Sequence, residues 1–92
     1  MVEVTVAVKN ELGLHARAAA RLVRTANRFQ SSVRLERIDG SASADAKSIL
    51  NVLMLAASGG TELRAIAEGH DEADAIAALS GLFADGFGEL KP

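Results

Sequence analysis

One residue in this chain stands where its type suggests covalent chemistry: His15, in the run Gly13-Leu14-His15-Ala16-Arg17. Apolar residues recur at helical spacing after it, so His15 marks the point where a loop turns into a helix. Side-chain oxygens of Ser, Thr, Asp or Asn normally cap such a boundary, and imidazole is a poor substitute. A ring nitrogen at the positive end of a helix suits a different task, that of holding an anionic group such as a phosphoryl group. The amides of Ala16 and Arg17 have no intrahelical acceptor there, and the Arg17 guanidinium can add a charge-assisted contact. Such contacts must hold the group without trapping it, because a phosphorylated histidine is useful only if a next acceptor can remove it. Covalent carriage is the chemistry this site suits.

Other chemistries find less support. The second histidine, His70, precedes an acidic helix start and reads as an exposed loop residue. Two histidines 55 positions apart, in a chain without cysteine, make no metal-ligand spacing, and disulfides are excluded. No Gly-x-Ser-x-Gly elbow or comparable setting for a nucleophilic serine is present. Neither a metal nor a cofactor is called for, and a self-sufficient enzyme is not expected.

The elements that must position His15 are legible from periodicity. Val2, Val4, Val6 and Val8 alternate with Glu3, Thr5 and Ala7, the pattern of a half-buried strand. Residues 9–14 form a surface loop ending in a glycine turn. From residue 16 to about residue 28, Ala19, Leu22, Val23, Ala26 and Phe29 give one apolar helical stripe. Arg17, Arg21, Arg24 and Arg28 project from the opposite side, and like charges at this spacing cost a few tenths of a kcal/mol per pair. Taken alone, the four arginines read equally well as a solvated face; beside His15, an acidic partner explains them better.

Residues 33–38 alternate again as a strand, Asp39-Gly40 is a hairpin signal, and residues 41–44 make a short strand at a sheet edge. Residues 45–57 predict a second helix capped by Asp45 or Ser48. Its residues Ile49, Leu50, Val52, Leu53, Met54 and Leu55 cannot all face one core, so an exposed apolar patch and a partner site are expected. Residues 61–67 form the fourth strand. Asp71 is expected to cap a third helix with Ala73, Ile76, Ala77, Leu79 and Phe83 on its apolar face. Residues 86–92 are expected to fray. The order β-α-β-β-α-β-α, without linker or repeat, predicts a single α+β domain over residues 1–92, with its helices on one face of one sheet.

Composition narrows the partners. Residues 1–47 hold eight Lys/Arg against five Asp/Glu, and residues 48–92 hold two against seven. Such a dipolar chain suits steering toward an acidic protein surface. It lacks the basic balance and aromatic interleaving of a nucleic-acid binder. No stretch is long and apolar enough for membrane insertion and no signal peptide is visible, so a cytoplasmic location is the default. A monomer fits a protein that presents one site to successive partners.

The run at residues 13–17 resembles the active-site signature of the HPr family, the histidine-containing phosphocarriers of the bacterial phosphotransferase system. Asp45-Ala46-Lys47-Ser48-Ile49-Leu50 resembles that family's second signature, and the likeness continues through Ala67-Glu68-Gly69-His70-Asp71-Glu72. It covers essentially the whole chain. The resemblance implies an open-faced sandwich, a four-stranded antiparallel sheet with three helices on one face. It implies that His15 accepts a phosphoryl group on Nδ1 from phosphorylated enzyme I, for which phosphoenolpyruvate is the donor, and passes it to an enzyme IIA domain. Arg17, with the amides of residues 16 and 17, would stabilise that group. The surface of the first two helices, including Arg21, Arg24, Ile49 and Leu50, would dock the partners.

Ser48 matches the serine that an HPr kinase/phosphorylase modifies in many bacteria, and the alternative reading is a regulatory binding module controlled there. Two residues depart from the common pattern. Ala18 stands where many members have proline, which is pre-organised for a first helical turn. Asn51 stands where many have glycine or lysine. Together with residues 53–57, these features are similar to the nitrogen-related branch of the family, which serves regulation more than sugar uptake.

Overall fold

The computed structural model describes residues 1–90. The elements are β1 (Val2–Ala7), α1 (Ala16–Ala26), β2 (Ser32–Arg37), β3 (Ser43–Asp45), α2 (Ile49–Met54), β4 (Glu62–Glu68) and α3 (Glu72–Ala84), followed by a 3-10 turn at Gly86–Gly88. The strands form one sheet in the order β1-β4-β2-β3, each neighbouring pair antiparallel. With the three helices on one face, this is the α+β sandwich expected from the element order.

Alternation decides which side of the sheet is buried. Val6 lies opposite Leu63, and Val4 and Leu35 flank Ala65 from the two sides of β4. Val33, Leu35, Leu63, Ala65 and Ala67 are buried under the helices. Small residues in the central strand leave room for α3, which packs over β1 and β4 through Ala75, Ile76, Leu79 and Phe83. The other face is polar. There the Arg64 side chain bridges Glu3 at 3.1 Å and Glu36 at 3.3 Å, tying the two flanking strands β1 and β2 to β4. Each such exposed pair contributes at most about 1 kcal/mol.

Helix α1 buries Ala18, Ala19, Leu22 and Ala26, and its arginines Arg17, Arg21 and Arg24 stay exposed, as the apolar stripe requires; Arg28, also exposed, lies just beyond its end. It stops at Ala26, two residues short of expectation. The Asn27 amide there donates to the Val23 carbonyl at 2.9 Å and to the Lys47 carbonyl at 3.2 Å. Lys47 Nζ donates to the Phe29 carbonyl at 2.8 Å, a positive charge just beyond the negative end of the helix.

Several boundaries differ from those expected. The short strand is residues 43–45 rather than 41–44, because the Asp39 carboxylate accepts from the Ser41 amide at 2.8 Å and keeps that segment in the turn. Helix α2 is shorter than residues 45–57. Asp45 instead closes a local turn, accepting from the Lys47 amide at 2.9 Å. Ser48 is the N-cap and accepts from the Asn51 amide. Beyond Met54, Ala56 adopts a left-handed backbone (φ 54°) and prevents continuation.

In α3 it is Ala75 that is buried, while Ala73 and Ala77 face outward. Asp71 does not cap that helix through its side chain. Its carboxylate accepts from the Gln30 and Ser31 amides, each at 2.9 Å, and from the Ser31 hydroxyl, pinning the chain between α1 and β2. The expected fraying from residue 86 is also not what residues 86–90 show. Phe87 is fully buried, its ring edge-on to Phe83 with centroids 4.9 Å apart. Residues 91 and 92 lie outside the described residues.

Candidate functional site

The loop before α1 is stapled before it reaches His15. The Gly13 amide donates to the Asn10 carbonyl at 3.1 Å, and the Asn10 side chain donates to the Gly13 carbonyl at 2.8 Å. The Leu14 amide then bonds the Ala57 carbonyl at 2.9 Å, fastening the loop to the chain after α2. Gly13 itself has φ +69°, and a Cβ there would run into the Ala57 carbonyl and lie 2.8 Å from the Ser58 Cα. Only glycine fits this turn.

His15 follows as the N-cap of α1, with extended backbone (φ −78°, ψ −177°). Its carbonyl accepts from the Ala19 amide at 2.7 Å, but its ring makes no capping bond. The imidazole is therefore directed away from its own helix. Nε2 lies 2.8 Å from Glu89 Oε2 and 3.0 Å from Oε1. Glu89 in turn accepts from the Asn10 amide at 2.9 Å. The His15 side chain is 30% exposed and that of Glu89 12%, so the ring can be reached while the carboxylate is sheltered. The His15 N–H, assisted by the Asn10 amide and the Arg17 charge, holds the Glu89 carboxyl below the usual range against an opposing cost of burial.

Glu89 is brought here by the turn that carries Phe87. The Phe87 ring plugs the core, and its carbonyl accepts from Arg21 Nη1 at 2.8 Å. Phe87 has a left-handed backbone (φ 57°), costing about 1 kcal/mol for a residue with a side chain. Burial of the ring outweighs that by a few kcal/mol. Beside the histidine is an open cleft of about 350 Å³ lined by Glu11, Leu12, Arg17, Gly88 and Glu89.

The structure places the sequence-identified residues in two groups. His15, Ala16 and Arg17 sit together at the start of α1, with Arg17 on the cleft. Arg21 and Arg24 lie further along α1 on its exposed side. On α2, which packs against α1, Ile49, Leu50, Leu53 and Met54 are all exposed, Leu50 at 68% and Met54 at 78%. Ser48 stands at the start of that helix, half-buried. His70 is an exposed loop residue, and Ala18 is fully buried against the core.

Asn10 and Glu89 are the residues that sequence reasoning missed. Glu89 lies 74 positions from His15 in a glycine-rich tail. The one available signal was a phenylalanine between two glycines, an apolar anchor in an otherwise polar terminus.

A family model described as "PTS HPr component phosphorylation site" matches residues 2–85. The phosphocarrier protein HPr of Xylella fastidiosa is 47% identical over 97% of this chain and 98% of its own. The phosphocarrier protein NPr of Proteus mirabilis is 44% identical over 91% and 92%. Among solved structures, HPr-C-His from Thermoanaerobacter tengcongensis superposes with a TM-score of 0.92 at 43% identity, covering 99% of this chain and all of the other. On sequence and fold together, this chain belongs to the HPr family of phosphocarrier proteins of the phosphotransferase system.

Proposed function

We propose that this protein carries a phosphoryl group on His15, receiving it from phosphorylated enzyme I and delivering it to an enzyme IIA domain. The observation that carries this reading is the His15 ring itself, which sits at the N-cap of α1 without capping it, partly exposed, with Arg17 on the adjoining cleft. A phosphoryl group there meets the free amides of the first helical turn and a guanidinium. The exposed apolar residues of α2, next to the arginines of α1, supply a docking surface in which Arg21, Arg24, Ile49 and Leu50 take part. Carriage calls for a monomer that turns the same face to donor and acceptor in succession. Among the described residues no helix is long and apolar enough to cross a membrane.

Incubation with enzyme I and phosphoenolpyruvate tests the proposal. One acid-labile phosphoryl adduct is expected on the wild type and none on His15→Ala with its fold intact. An undiminished adduct on that variant contradicts it.

A second reading draws on Ser48. Its hydroxyl caps α2 directly before the exposed Ile49 and Leu50, so a phosphate there would place charge beside the docking surface. This reading, regulation by an HPr kinase/phosphorylase, expects an acid-stable adduct with kinase and ATP that is lost in Ser48→Ala.

A further inference from the structure

His15 meets the rest of the protein through Nε2, with both carboxylate oxygens of Glu89 within 3.0 Å. An ionised carboxylate only accepts hydrogen bonds, so this contact requires the ring proton on Nε2. A neutral imidazole protonated at Nε2 keeps its lone pair on Nδ1. The carboxylate is itself held. Asn10 is 1% exposed, and its amide nitrogen donates both to the Gly13 carbonyl and to Glu89 Oε1. Both of those partners are acceptors, so the position demands a two-proton donor. From the other side, Arg21 fixes the Phe87 carbonyl two residues before Glu89.

We propose that Glu89, seated by Asn10, is the positioning residue of the phosphoryl site: it fixes the Nε2–H tautomer of His15 and so presents Nδ1 as the nucleophile. This rests on the reading of His15 as the phosphoryl acceptor. In the transfer, the Nδ1 lone pair forms the N–P bond, and the bond from phosphorus to the donor breaks with its electron pair returning to the donor. No proton moves. The ring, now carrying phosphorus on Nδ1 and hydrogen on Nε2, is positively charged and faces the Glu89 carboxylate. Onward transfer breaks the Nδ1–P bond and returns the pair to Nδ1, regenerating the neutral ring in the same tautomer. Glu89 touches neither the phosphoryl group nor the reacting nitrogen and acts through the ring alone.

Nitrogen-15 NMR of the histidine ring in the unphosphorylated protein, combined with phosphorylation kinetics, tests the proposal. At a pH where the ring is neutral, the wild type is expected to show hydrogen on Nε2 and a lone pair on Nδ1. Glu89→Ala is expected to average the two nitrogens and to slow transfer by about 10–100-fold, the usual effect of removing a carboxylate behind a functional histidine. Glu89→Gln, the same size and still an acceptor, is expected to restore the wild-type ring pattern and most of the rate. Asn10→Asp, which would set a second carboxylate against Glu89, is expected to behave like Glu89→Ala. Wild-type ring signals and rates in a folded Glu89→Ala overturn the proposal while leaving carriage intact. Failure of the wild type to accept a phosphoryl group from active enzyme I overturns the carrier reading itself, whatever the ring signals show.

Discussion

Arg21 Nη1 donates to the Phe87 carbonyl at 2.8 Å, joining the middle of α1 to the turn that follows α3. That bond ties the segment bearing Glu89 to the helix that begins at His15, so two parts of the candidate site 74 positions apart are joined through α1. Arg21→Ala is expected to cost about 1 kcal/mol, the worth of one partly exposed charged hydrogen bond. It is also expected to speed amide exchange selectively at residues 86–89. Exchange unchanged there would show that the ring of Phe87 alone secures the segment.

Phe87 is the stronger anchor. Its ring is fully buried against Phe83, so Phe87→Ala is expected to destabilise the fold by about 3–5 kcal/mol in urea unfolding. A residue in a frayed terminus would tolerate the same change with less than about 0.5 kcal/mol.

Acid stability has an identified contributor. The Ser31 hydroxyl, with the Gln30 and Ser31 amides, lowers the Asp71 carboxyl from its ordinary 3.8 to about 2. A carboxyl that binds its proton less readily folded than unfolded stabilises the fold above its ordinary value. That contribution fades as pH falls from about 4 to about 2. Asp71→Asn is therefore expected to be less stable than wild type at pH 6, with the two proteins converging toward pH 2. A constant difference across that range, read by denaturant titration at each pH, would assign the effect to packing instead.

On α2, Leu50 is 68% exposed and its loss should leave stability within about 0.5 kcal/mol. Leu50→Ala is nevertheless expected to weaken enzyme I binding by about tenfold, as for a residue at the centre of an interface. Calorimetric titration of the wild type and Leu50→Ala side by side measures this. An unchanged dissociation constant would move the docking surface elsewhere.

How much of this could be read from the sequence depended on the range of the interactions. The alternating valines of β1, the apolar stripe of α1 and the crowded apolar surface of α2 are local patterns, and the structure places them as the periodicity implies. His15 was legible because an imidazole at a helix start breaks a local capping rule. Asp71 was not, because its proper reading as a cap fails only when Ser31, 40 positions away, offers a hydroxyl and an amide. Glu89 and Asn10 were missed for the same reason. Their pairing depends on Phe87 turning back into the core through a left-handed backbone, and glycines on either side made that segment look unstructured. Local sequence describes elements well, but the groups that meet the His15 ring come from wherever the fold returns the chain.

The central claim is that His15 carries a phosphoryl group, and intact-mass measurement tests it most directly. The protein is incubated with enzyme I and phosphoenolpyruvate and then weighed before and after mild acid. The account predicts the added mass of one phosphoryl group, lost in acid and absent from His15→Ala. An acid-stable adduct, an adduct that survives in His15→Ala, or none at all with a demonstrably active enzyme I would contradict it.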